Sequence, residues 1–142
     1  MNRCVKTRPR SSGVAAVELA LVAPLVLTFA FIGTDFGRVM NAYFIVCNAA
    51  RAGADYGSTN GFTTFTQSSW EASVRLAVEQ ELQQLSGYDS GQLQLSIVVT
   101  PDADGLYHLA VEVQYPFTTA VNWPGVPAQV LLDHRVEMRR IR

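Results

Sequence analysis

The chain has 142 residues, enough for one soluble domain plus an anchor. Apolar residues make up 49% and charged residues 16%, with 11 basic and 12 acidic side chains, two cysteines and two histidines. This balance argues against a basic nucleic-acid surface, and the two cysteines offer neither a disulfide framework nor metal-ligand spacing.

The chain opens on a basic segment, with Arg3, Lys6, Arg8 and Arg10 before Gly13 and no acid. Without these four, 7 basic residues stand against 12 acids, a net of −5. From Val14 to Gly33 the only ionisable side chain is Glu18. A stretch of about 20 residues at ~1.5 Å rise crosses a ~30 Å hydrocarbon core. A single span over about 14–34 is expected, with a cytoplasmic N-terminus and an extracytoplasmic C-terminal domain, because basic flanks stay inside.

Glu18 is costly there. A carboxylate at membrane depth costs roughly 2.5–3.5 kcal/mol on insertion scales, so it needs a partner or a role. A secretory signal peptide accounts for the basic start but not for the long apolar run, the acid, or the lack of an Ala-x-Ala site. A plain anchor fits the length and leaves Glu18 unexplained. A third reading fits both. The residues resemble a prepilin-type signal, cut after Gly13, with Val14 as new N-terminus and Glu18 as fifth residue. The cut creates an ammonium on Val14, which can neutralise the Glu18 carboxylate of a neighbouring subunit and set axial register.

Within the run, Pro24 removes the helix hydrogen bond to Ala20 and should kink or loosen the span, a defect neighbouring helices can repair. Gly33 and Gly37 form a GxxxG pair that permits close helix approach, and Ala49, Gly53 and Gly57 repeat the spacing. The helix is expected to continue past the membrane to about Tyr56. Arg38, Asn41, Asn48 and Asp55 mark a polar stripe, and Phe36, Val39, Met40, Tyr43 and Cys47 lie on the packed face. Asp35 and Arg38 are spaced to pair on the helix surface. Cys47 reads as a buried small apolar residue.

A loop over 58–66 precedes a second helix, opened by a Ser68/Glu71 capping box and stopped at Gly87, with Trp70, Val74, Val78, Leu82 and Leu85 on one face. Three alternating segments follow, Leu93–Val99, Tyr107–Tyr115 and Val130–Met138. A turn at Pro101–Gly105 joins the first two, and a loop holding Pro116, Pro124 and Pro127 joins the last two. One-sided strands need a cover, so the fold class is α+β, with the helices over an antiparallel sheet of about three to four strands.

The chemistry-bearing residues form no known constellation. His134 falls in the apolar register and reads as a packed histidine. Asp102-Ala-Asp104-Gly105 lacks the later ligands of a calcium loop and reads as a hairpin turn. Glu112 and Glu137 can face each other across strands, and Arg135, Arg139, Arg140 and Arg142 read as a solvated strand end. No catalytic residue, cofactor or metal site is expected.

Two stretches, G-V-A-A-V-E-L-A-L-V-A-P-L from Gly13 and N-A-A-R-A-G-A-D-Y-G from Asn48, resemble the TadE-like proteins, pseudopilins of the tight-adherence (Flp, type IVc) pilus system. The likeness continues more faintly at Tyr115-Pro116-Phe117 and Val136–Arg139. Asp55 departs from the family pattern, which often has arginine there. Leu19, where major Flp pilins usually carry tyrosine, and the sizeable exported domain favour a minor pseudopilin. The resemblance implies a pilin-like fold in three parts: a leader over 1–13, a long helix over 14–57, and an extracytoplasmic α+β domain over 58–142. It also implies an inner-membrane protein, with incorporation in a surface pilus left open. Its implied partners are a prepilin peptidase cutting between Gly13 and Val14, membrane lipid, other pilins or pseudopilins, and inner-membrane assembly proteins. No nucleic acid or small-molecule substrate is implied. Two other readings stay open: a membrane-anchored extracytoplasmic binding module outside any pilus, and a general-secretion minor pseudopilin.

Overall fold

The computed structural model describes residues 11–101, 107–120 and 128–139. Their elements are α1 (Ser11–Thr59), α2 (Gln67–Leu82), a short 3-10 turn (Ser90–Gln92), β1 (Gln94–Pro101), β2 (Tyr107–Thr118) and β3 (Gln129–Arg139). The chain divides into two compact units, Met1–Phe36 and Gly37–Arg142, and α1 supplies residues to both. The expected turn at 102–105, Pro124 and Pro127, Cys4, and Arg140 and Arg142 lie outside the described residues.

In the second unit both helices cover one face of a three-stranded antiparallel sheet in the order β1-β2-β3. Alternation sets the register. Leu95, Ile97 and Val99 stand opposite Val113, Val111 and Leu109, and on the other side Val111 and Val113 meet Val136 and His134. Val46, Ala50, Val74, Val78, Val111 and Val113 are fully buried between the layers. The helix face is cut down to small residues where it meets them. A Cβ on Gly53 would fall 2.5 Å from Val78 Cγ2 and 3.3 Å from Val111 Cγ1, and one on Gly57 would collide with Leu109. The expected polar stripe of Arg38, Asn41, Asn48 and Asp55 is exposed.

Several local expectations are corrected. α2 begins at Gln67, so Ser68 is inside the helix and no Ser68/Glu71 capping box forms. A tight turn starts the helix early. Thr66 Oγ1 accepts from the Thr63 amide at 2.9 Å, and Glu71 instead accepts from Gln67 Nε2 at 3.0 Å. The helix also ends at Leu82 rather than near Gly87, because successive turns follow: the Leu85 amide donates to Leu82 O at 2.9 Å and the Tyr88 amide to Leu85 O at 3.2 Å. Gly87, at φ +78, makes the left-handed step out of them.

Pro116 is in β2 rather than in a loop. It pairs with Leu131 of β3 only, because β1 starts opposite Gln114, so β2 is a locally exposed edge where a missing N–H is tolerated. Glu112 and Glu137 do not face each other. Glu112 stands opposite Arg135 and Glu137 opposite Ala110, and Arg135 Nη2 donates to Glu137 at 2.6 Å, separating the two acids with a cation. Phe36, expected to pack, is exposed, and Asp35, expected on the helix surface, is 6% exposed.

Tyr88 gives a first expected result. Its ring lies 5.6 Å from that of Tyr115, and its hydroxyl is buried with no hydrogen-bond partner. Burial, and then the nearby Glu79 charge, hold its phenol above the ordinary value of 10.0. The fold thus favours the neutral phenol. That contribution is complete below the unfolded value and is lost as pH rises through the higher folded one. Tyr88→Phe should match or exceed the wild type in stability at neutral pH, since no hydrogen bond is lost. Denaturant melts from pH 8 to 11 should fall less steeply above about pH 10 in the variant.

Candidate functional site

The residues singled out in the sequence, Gly13, Val14, Glu18, Pro24, Gly33 and Gly37, all lie on α1. The helix starts at Ser11, three residues before the expected start at Val14, so the Gly13–Val14 bond is within its first turn. Val14 and Glu18 are one turn apart and share a face. Both are exposed, as are the large apolar residues around them: Val14 is 61% exposed, Leu19 67% and Leu21 75%. Glu18 has no ion pair or hydrogen bond among the described residues. The sole carboxylate of the span is thus exposed on an apolar rod.

Pro24 interrupts the hydrogen-bond ladder without ending the helix. Nearby hydroxyls are turned inward to the backbone: Thr28 Oγ1 donates to Pro24 O at 2.8 Å, and Thr34 Oγ1 to Ala30 O at 2.9 Å. A hydroxyl so satisfied does not need water. A Cβ on Gly33 or Gly37 would meet nothing within 4 Å, in contrast to Gly53 and Gly57. Glycine in mid-helix costs about 1 kcal/mol against alanine. Gly53 and Gly57 offset that cost by packing inside the domain; Gly33 and Gly37 gain nothing from the described residues.

Among the described residues one helix is long and apolar enough to cross a membrane, and none of its most apolar window is buried. Its length and composition are consistent with single-span membrane anchoring. Residues 13–55 match the family model described as TadE-like protein. The match opens on Gly13, spans Glu18, Pro24, Gly33, Gly37 and Gly53, and ends at Asp55 within α1. No curated protein and no solved structure matches the chain. With the TadE-like segment leading into a second helix and a three-stranded antiparallel sheet, the arrangement is α+β and pilin-like. TadE-like proteins are in general non-enzymatic and pilin-like.

The remaining candidates are dispersed. His108 and His134 sit in different strands, opposite Thr100 and Val113, and so on opposite faces of the sheet. His134 packs edge-on against Tyr43, centroids 6.1 Å apart, as the packed histidine expected. Cys47 is buried, and a hydrogen bond to it holds the Tyr43 phenol above its ordinary value. A cavity of ≈ 250 Å³ opens beside Arg38, whose guanidinium lies 5.5 Å above the Phe117 ring. Its lining has no carboxylate, histidine or thiol. No group of three or more His, Cys, Asp or Glu side chains is placed to hold a metal among the described residues.

Proposed function

We propose that the chain is a TadE-like minor pseudopilin, cut by a prepilin peptidase after Gly13, that takes part in initiating or supporting assembly of a tight-adherence (Flp, type IVc) pilus. The observation that carries this is an apolar stretch at the start of α1, none of its most apolar window buried, whose one carboxylate, Glu18, follows Gly13 by five residues within the TadE-like match. A lone carboxylate in an apolar rod is stable in the membrane when a fixed cation meets it. Cleavage supplies that cation as the Val14 ammonium, and a neighbouring pilin or pseudopilin subunit brings it to Glu18. Gly33 and Gly37, with open space over both, let the partner helix approach closely. Pro24 loosens the ladder between Glu18 and Gly33, so the helix can adjust as it passes from lipid into a packed bundle.

In this reading the protein sits in the inner membrane with its N-terminus cytoplasmic and the α+β domain outside. Its partners are the peptidase, membrane lipid and inner-membrane assembly proteins, and it performs no catalysis. N-terminal sequencing and intact mass of protein extracted from membranes with an active prepilin peptidase test the first step. The expected mature chain begins at Val14, and Gly13→Leu should leave the leader attached. A wild-type chain still starting at Met1 in that strain removes the proposal.

A further inference from the structure

β1 (Gln94–Pro101) is an edge strand, paired with β2 on one side and with no strand on the other among the described residues. The opposite edge, β3, is defended by Asp133, Arg135, Glu137 and Arg139, charges that discourage an incoming strand. From Gln94 to Thr100 β1 has no charge, and only Pro101 blunts its end. Its inner side chains are also incompletely covered. Leu95, Ile97 and Val99 are half-buried, whereas their cross-strand partners Val113, Val111 and Leu109 are fully enclosed. Between α2 and β1 runs a groove of ≈ 350 Å³, lined by Ser68, Glu71, Ala72, Arg75, Leu95 and Ile97. Its floor is apolar and its rim polar. Arg75 is bound to Glu79 at 3.0 Å, while the exposed Glu71 accepts only a neutral amide, leaving one uncompensated negative charge.

From this we infer that β1 and the α2 groove receive an extended segment of another polypeptide, added as a fourth strand, with apolar side chains over Leu95 and Ile97 and a basic residue beside Glu71. A row of alternating free N–H and C=O groups is met only by another extended backbone, and pockets for alternate side chains then give selectivity. A second copy docked β1 to β1 brings the same groove edge, another Glu71 and an Arg75 already paired with Glu79, so a foreign basic segment is the better complement. The inference does not depend on cleavage after Gly13 or on pilus assembly.

The test uses the full chain in detergent micelles, followed by amide NMR. The probes are blocked hexapeptides of alternating valine and threonine ending in lysine, glutamine or aspartate. The lysine peptide should shift amides of 94–100 and 67–75 alone and slow β1 amide exchange at least tenfold at saturation. It should bind about two- to fivefold tighter than the glutamine peptide, the scale of one exposed ion pair. Glu71→Lys, at an exposed site that leaves the fold intact, should transfer that preference to the aspartate peptide. N-methylation along the pairing edge should abolish binding. No change at β1 with any of the three peptides, shifts at β3 instead, or binding indifferent to N-methylation overturns the inference. So do β1 contacts between copies in the absence of peptide, which make the second copy the occupant.

Discussion

Gly53→Leu is expected to destabilise the unit Gly37–Arg142 by about 3 kcal/mol, at the upper end of overpacking costs. The Cβ alone would fall 2.5 Å from Val78 Cγ2, 3.3 Å from Val111 Cγ1 and 3.6 Å from Val74 Cγ1, and three more carbons have nowhere to go. Val74, Val78 and Val111 are fully buried and β-branched, so they cannot rotate aside. Helix propensity opposes the effect by about 1 kcal/mol and does not rescue it. Gly37→Leu, on the same helix but with open space over its Cα, should stay within about 0.5 kcal/mol of wild type. Denaturant unfolding followed by tryptophan fluorescence reads both. Trp70 is a suitable reporter because it is buried against the helix at Gly57. Equal losses at the two glycines would refute the packing account.

Glu18→Leu is expected to separate insertion from assembly. Removing the one carboxylate of the span, one turn from its start, makes insertion more favourable by up to about 3 kcal/mol, so the variant should be at least as abundant in the membrane. Its cross-linked complexes with other assembly subunits should disappear, since no acid remains to meet a neighbour's N-terminal ammonium. Glu18→Asp keeps the charge on a shorter arm and should retain part of the complex; Glu18→Gln keeps the shape and should not. Blue native electrophoresis of gently cross-linked membranes reads the series. Wild-type complexes in the leucine variant mean that Glu18 sets no register and that the helix is an anchor alone.

Much of the fold is visible in the residues because two strong periodicities run through it. The apolar run and the small-residue spacing at Ala49, Gly53 and Gly57 mark α1, and strict alternation marks the three strands. What the sequence hides are choices between nearby alternatives. Thr66, not Ser68, precedes α2, because a turn from Thr63 closes first. Pro116 looks like a strand breaker until the register shows that β1 does not extend beside it. Glu112 and Glu137 look like partners until a two-residue offset brings Arg135 opposite one of them. Of the candidate site, Glu18 is legible because its cost is local to its own helix. The groove over β1 is not, since it needs α2 placed beside an edge strand. Its one signal in the sequence is an absence: seven residues without charge in β1 against the charged β3.

Gly53 and Gly57 also set an order of events. A helix segment with two glycines is a poor helix former alone, and short helices in water are marginal even without them. The last turn of α1 packs against residues far along the chain: Ser58 Oγ, which donates to Asp55 O, lies 3.9 Å from Met138 Sδ, eighty residues later. The apolar first half of the same helix needs no such help once in lipid, where an unpaired backbone is costly. One continuous helix therefore rests on two different supports. If the chain is exported as proposed, the apolar span is expected to wind on entering lipid, and the outer part to become stable once the sheet has docked against Gly53 and Gly57.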